Sequence, residues 1–242
     1  MHGIGVMNIL KQALGGITGG RVLDVASGEG DFIKTLVGSL NSYVEIIGID
    51  IVEYTKAAGS IFNTGDVSFV QMDAGRLGFG DECFDTVSIS SSLHHLENIP
   101  RCVGEMQRVL EPGGHLIIRE THRDIQAEPQ LTDMYLHHWV ADVDSALGST
   151  HNRTFARQEL VDLAAGLGLS NLQLYDISNT DSDPENIANI KDSEGVVERY
   201  MRYAEGLSTH RALRRRGEDL KQRLRTVGIQ WEPELIIVGE KR

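Results

Sequence analysis

The sequence predicts an α/β protein built on a doubly wound, mostly parallel sheet, and three observations carry that prediction. Short β-branched runs alternate with helical patterns from residue 21 to 120, the form that repeated βαβ units take. A glycine-rich turn, ASGEG at Ala26 to Gly30, separates the first strand from the helix after it. Acids stand at three successive strand ends, Asp24, Asp50 and Asp73, and the carboxyl ends of parallel strands form the crevice where such sheets bind ligands.

Each element follows from its local pattern. Ile4, Met7, Leu10 and Leu14 keep helical spacing and predict a short N-terminal helix. Strands are expected at Arg21 to Val25, Tyr43 to Ile49, Val67 to Gln71, Phe84 to Ser90 and His115 to Arg119. Helices are expected near Asp31 to Leu40, Glu53 to Phe62 and Ile99 to Leu110, the last stopped by Pro112, Gly113 and Gly114. Beyond residue 120 the rhythm changes. A stretch rich in His, Asp and aromatics runs from Thr121 to His151, a helix follows at Phe155 to Leu167, and a strand at Leu172 to Ile177. Asn179 to Asp183 has linker composition, Asp183 to Val227 is helical and polar, and Glu234 to Val238 closes the chain as a strand.

The 242 residues suffice for one large α/β domain or two small ones. The formal net charge of -12 argues against nucleic acid and anionic membranes as main partners, because both are held by clustered Lys and Arg. No apolar run reaches the roughly 18 residues that a membrane span needs, and no secretory signal is visible, so a cytoplasmic protein is expected. Cys83 and Cys102 are too far apart for a CxxC pair and read as core residues.

The first turn poses a specific question. A dinucleotide fingerprint wants Gly-x-Gly-x-x-Gly, but here Gly28 and Gly30 are followed by Ile33 at the third position. Asp24, Glu29 and Asp31 would repel a pyrophosphate, so a ligand with positive charge fits the loop better. Asp31 can equally be a first-turn acid that favours the helix dipole. Asp50 can accept ribose hydroxyls or cap the following helix, and Asp73 can face an adenine amino group or form a turn.

With those residues in view, the sequence resembles the class I S-adenosylmethionine-dependent methyltransferases, particularly the small-molecule branch that includes ubiquinone and menaquinone biosynthesis enzymes. The matching motifs run in order: VLDVASGEGDF at 22, IIGIDIV at 46, VSFVQMDA at 67, FDTVSISSSLHHLEN at 84 and RVLEPGGHLIIRE at 108. FARQELVDLAAGLGLSNLQLYDI and PELIIVGEK look like the family's last helix and closing hairpin. The resemblance implies a Rossmann-like, seven-stranded sheet with an antiparallel last strand, in a single domain with a helical lid at 121–151 and a helical insertion at 183–228. It implies S-adenosyl-L-methionine as cofactor, whose sulfonium and ammonium acids would attract. Asp24 and the loop from Ala26 through Ser27 and Gly28 to Gly30 would hold the methionine end, with Ser90 beside it. Asp50 and Ile51 would meet the ribose and its surroundings, and Asp73 with Ala74 the adenine. The family often has Gly where Ala26 stands and Cys or Gly where Ser27 stands.

Methyl transfer from a sulfonium needs alignment more than a fixed base, so the catalytic residue is left open, with His94, His95 and His122 as candidates near the ends of strands four and five. Tyr135, His138, Trp139 and His95 are the candidates for holding a small-molecule acceptor. His137 and His138 are adjacent rather than three or four apart, so no metal site is expected. The basic stretch from Arg211 to Arg225 reads as a solvated helix with intrahelical pairs, its Leu213, Leu220 and Leu224 packed on the core or on a second copy in a homodimer. Three other readings stay open: an NAD-dependent oxidoreductase, a non-catalytic S-adenosylmethionine-binding protein, and an RNA methyltransferase using the basic helix.

Overall fold

A computed structural model describes residues 4–52, 62 and 65–242. The helix expected at Glu53 to Phe62 lies outside the described residues, Phe62 excepted. The chain divides into two compact units: Met1–Glu120 with Leu160–Ile177 and Leu235–Arg242, and Thr121–Glu159 with Ser178–Glu234.

The first unit holds α1 (Ile4–Leu14), β1 (Arg21–Val25), α2 (Asp31–Ser39), β2 (Glu45–Asp50), β3 (Val67–Gln71), β4 (Phe84–Ser90), α3 (Ile99–Val109), β5 (Leu110–Thr121, its last residue beyond the unit), most of α5 (Arg157–Gly166), β6 (Ser170–Ile177) and β7 (Glu234–Glu240, after its first residue). The seven strands form one sheet in the order β3-β2-β1-β4-β5-β7-β6. Strands β1 to β5 are parallel, with β1 in the middle, and β7 runs antiparallel to β5. This is the Rossmann-like, mostly parallel sheet with a reversed last strand that the resemblance implied. Strands covered on both faces read as continuous apolar runs, and Val22, Leu23, Val87 and Ile89 are fully buried. One core cluster joins Leu10 and Leu14 of α1 to Ile33 and Leu36 of α2 and to Ile46, Ile117 and Ile236 of the sheet.

Helix α3 ends at Val109, ahead of the expected stop at Pro112-Gly113-Gly114; what is corrected is the strand start expected at His115, beyond that tripeptide. β5 begins at Leu110 and runs through it, because the tripeptide is absorbed as an irregularity: Phe84 pairs with Leu110, and two residues later Thr86 pairs with His115. Gly113, at φ 82°, supplies the left-handed residue the bend requires, and its N–H donates to Lys241 O at 2.8 Å.

The second unit is helical: α4 (Glu128–Ala146), α6 (Ile187–Tyr203) and α7 (His210–Thr226). Leu136, Trp139 and Val143 of α4 pack with Val197 of α6 and with Leu213, Leu220 and Leu224 of α7. The three leucines of the basic helix therefore belong to their own unit's core, not to a face for a second copy. Nor do four of its cations pair within the helix as expected. Arg216 pairs with Asp142 and Arg223 with Glu128, both on α4, and Lys221 pairs with Glu198 and Arg225 with Glu194 on α6. Asn179, in the segment of linker composition, is a tied-down turn at φ 56° whose side-chain N–H donates to Glu232 O at 2.8 Å. Among the described residues no helix is long and apolar enough to cross a membrane.

Candidate functional site

The loop after β1 turns through three left-handed residues, Ala26 (φ 54°), Gly28 (φ 51°) and Gly30 (φ 87°). Gly30 is confined by more than its dihedral, since a Cβ there would lie 2.9 Å from Phe69 Cζ. Such loops often aim their N–H groups at an anion. Here three of those groups are satisfied within the protein. Ser27 N–H donates to Ile49 O at 2.9 Å, Gly28 N–H to Asp50 Oδ2 at 3.0 Å, and Gly30 N–H to Ser27 O at 2.9 Å. Three of the turn's N–H groups are therefore taken, and the loop is fastened to the end of β2.

A cavity of about 480 Å³ opens beside this loop, within the range of small-ligand sites. Asp24, Ala26, Ser27, Gly28 and Ser90 line it, so the structure brings these expected residues together. Gly30 lies in the same turn, as the N-cap of α2. Glu29 and Asp31 line the cavity too, and Asp31 also pairs with Lys34. Register sets the chemistry at the cavity floor. Asp24 on β1 stands opposite Ser88 on β4, and Ser88 Oγ donates to Asp24 Oδ1 at 2.6 Å. Burial pushes the Asp24 carboxyl up to about 7; the Ser88 hydroxyl opposes the shift and the negative charge of Asp50 adds to it.

Asp50 is positioned by the backbone it holds: Oδ2 takes Gly28 N–H and Oδ1 takes Val52 N–H, both at 3.0 Å. Each oxygen keeps a second lone pair for a ligand hydroxyl. Ile51, just beyond, is 70% exposed and presents an apolar side chain to solvent. Asp73 makes its own turn, accepting Gly75 N–H at 2.8 Å, and neither it nor Ala74 lines the cavity.

Arg119 was passed over in the sequence. Among the described residues it is the one cation lining the cavity, and it is 7% exposed. Its signal was a charge closing the apolar run LII beside Glu120, an expensive position unless the charge is used.

The candidate bases are placed differently. His94 is buried, its Nδ1 3.0 Å from Glu120 Oε1, while Glu120 Oε2 accepts Leu93 N–H at 2.8 Å. That pair fixes the short turn after β4. His95 is exposed, its ring centroid 4.3 Å from that of His94. His122 is buried in the second unit, its N–H on Pro233 O at 2.9 Å, and lines neither this cavity nor the one below.

The second unit has its own cavity of about 530 Å³, where Tyr135, His138 and Trp139 come together with Arg153, Arg216 and Arg223. Trp139 is fully buried and donates Nε1–H to Leu213 O at 2.9 Å, while His138 Nε2 is 2.9 Å from Thr154 Oγ1.

Against this geometry, residues 23–118 match the family described as a methyltransferase domain. This chain is 34% identical over 114 residues to the ubiquinone/menaquinone biosynthesis C-methyltransferase of Pseudomonas fluorescens, covering 45% of this chain and 44% of that protein. It is 34% identical over 116 residues to the demethylmenaquinone methyltransferase of Renibacterium salmoninarum, covering 46% of each. The match thus spans about half the length of these curated relatives. Among solved structures, a putative methyltransferase from Bacillus halodurans aligns at TM-score 0.61 and 18% identity, covering 99% of both chains. Phosphoethanolamine N-methyltransferase 2 of Haemonchus contortus, solved with phosphomonomethylethanolamine and S-adenosylhomocysteine, aligns at TM-score 0.58 and 14% identity over 99% of this chain and 53% of that one. At these identities the structural likeness concerns the fold alone.

Proposed function

We propose that the protein is an S-adenosyl-L-methionine-dependent methyltransferase acting on a small organic acceptor. The observation that carries this reading is the first turn: three of its donors are taken internally, while Asp24, Glu29 and Asp31 line the cavity beside it with Arg119. That charge pattern suits a ligand with a sulfonium, an ammonium and one carboxylate, with Arg119 taking the carboxylate and the acids the cationic end. It does not suit a pyrophosphate, which weighs against the NAD-dependent reading. Four cations of the basic helix, Arg216, Lys221, Arg223 and Arg225, pair with acids of their own unit, which leaves an RNA substrate less to bind.

In this reading Asp50 takes the ribose hydroxyls, Ile51 covers the adenine side, and Asp73 with Ala74 meets the adenine edge. The sulfonium supplies an activated methyl. The chain's own contribution is orientation, which can be worth on the order of 7–11 kcal/mol, and no fixed base is needed where the acceptor is already anionic. Segment 121–151 acts as the substrate cover of a single domain and 183–228 as its helical insertion, with Tyr135, His138 and Trp139 selecting the acceptor. The arginines beside them favour an acidic or phenolate-bearing one. Cytoplasmic residence and self-association belong to the same reading, checked by fractionation and sedimentation.

The test is release of S-adenosylhomocysteine with labelled cofactor and a panel of small acceptors, quinone precursors first because of the names of the curated relatives. Turnover on at least one acceptor is expected. Cofactor binding with no turnover across the panel would favour a non-catalytic binding protein, and NADH binding with none for S-adenosylmethionine would overturn the reading.

A further inference from the structure

Two histidines of the second unit meet nitrogen to nitrogen. His137 lies on α4 and His151 in the loop that follows it, with their Nε2 atoms 3.2 Å apart. The other nitrogen of each ring faces a carboxylate: His137 Nδ1 is 2.9 Å from Glu232 Oε2, and His151 Nδ1 is 2.8 Å from Asp144 Oδ2. An ionised carboxylate only accepts, so each Nδ1 carries its hydrogen, and in a neutral ring that leaves the lone pair on Nε2. Two such lone pairs pointed at each other repel, and a cation between them turns repulsion into binding.

The carboxylates are themselves held. Glu232 is 1% exposed, and its Oε1 accepts the Thr154 hydroxyl at 3.1 Å. Its backbone N–H donates to Asp133 Oδ2 at 2.9 Å. Asp144 Oδ2 also accepts the Tyr200 hydroxyl at 3.4 Å. A carboxylate that orients an imidazole through Nδ1 and leaves Nε2 facing inward is the arrangement found behind metal-bound histidines. The spacing agrees. Two imidazoles at 2.0–2.1 Å from one tetrahedral zinc-like ion would have their nitrogens about 3.3 Å apart, against the 3.2 Å seen here.

We propose that Nε2 of His137 and Nε2 of His151 are two ligands of a site for a divalent, imidazole-preferring transition-metal ion of the zinc type, with Glu232 and Asp144 as the residues that orient them. Water or an oxygen of a bound molecule completes the coordination. The adjacency of His137 and His138 had argued against a metal, but the partner of His137 is His151. His138 turns to Thr154 instead. The site stands apart from the methyl-transfer reading and does not depend on it.

The probe is cobalt chloride titrated into the untagged full chain, with far-UV circular dichroism confirming the fold of every variant. One equivalent is expected to bind with the intense visible absorption of tetrahedral cobalt, displaced by zinc. His137→Gln and His151→Gln should abolish that absorption, and Glu232→Gln should weaken affinity about 10-fold to 100-fold. No absorption from folded wild-type protein, as a proton shared between the rings would give, overturns the proposal, and so does absorption that survives both histidine variants. Should those variants fail to fold, X-ray absorption at the cobalt edge of the wild-type protein decides: two or more imidazole ligands support the site, and fewer overturn it.

Discussion

Asp24 in the sheet unit and Asp133 in the helical unit are both pushed up to about 7, and they reach that state by different routes. Asp24 is 1% exposed, has a hydroxyl donor in Ser88 2.6 Å away, and lines a cavity. Its raised carboxyl is the cost of keeping an acid ready for a ligand that brings positive charge. Asp133 keeps some residue surface while its carboxylate is enclosed, and after burial its main perturbation is the like charge of Glu232, whose backbone N–H it accepts. It is one strand of a polar web that holds the helical unit in register. A perturbed acid therefore signals a binding site in one region and a structural network in the other, and the neighbours, not the shift, tell them apart.

The comparison breaks most violently at the helical unit's core. Trp139→Ala would remove a fully buried side chain and its bond to Leu213 O, and should cost about 3–5 kcal/mol of stability. Thermal melting should show the loss, while cofactor binding per folded molecule stays unchanged. A loss of cofactor affinity as large as the loss of stability would mean that the two regions are not energetically separate.

The two aspartates come next. In both, the folded value lies above the unfolded one of about 4, so the folded state holds its proton longer, and each group costs stability as pH rises from about 4 to about 7. Asparagine keeps the accepting oxygen for Ser88 or for the Glu232 N–H without the ionisation. Asp24→Asn and Asp133→Asn should each raise the melting temperature more at pH 8 than at pH 5. Only Asp24→Asn should weaken S-adenosylmethionine binding, by roughly 2 kcal/mol or more. It should also flatten the pH dependence of that binding, which in the wild type strengthens up to about pH 7 as the carboxyl ionises. Equal effects of the two variants on binding would erase the distinction drawn here.

The smallest expected effect is at Ala26, which holds φ 54° with a Cβ. Ala26→Gly should stabilise the ligand-free protein by about 1 kcal/mol, since a left-handed alanine is strained by an amount of that order. Chemical denaturation would show it, and a destabilisation would mean that chain entropy outweighs the strain.

The same division separates what was legible in the sequence from what was not. β1, β3 and β4 have the boundaries read from their residues, because each is an apolar run closed by turn-forming residues. Five of the six residues expected around the first turn and at the end of β4 meet at one cavity. β5 was misjudged because proline and glycines usually end an element, and here they bend one. The helical unit was harder. α4 carries His137, His138, Asp142 and Asp144 among its apolar residues, and their partners are long-range, so periodicity did not mark the 19-residue helix they sit on. His151 was missed as the partner of His137 because 14 residues and a helix end separate them. Arg119 was missed because a charge closing an apolar run has no spacing to betray it.

The measurement that bears most directly on the central claim is calorimetric titration of the wild-type protein and an Asp50→Ala variant with S-adenosylmethionine and S-adenosylhomocysteine. The account predicts that the wild type binds both ligands and that the variant loses most of that affinity. Asp50 both fastens Gly28 and stands ready for the ribose. A folded wild-type protein that binds neither ligand, or a variant that binds as tightly as the wild type, would contradict it.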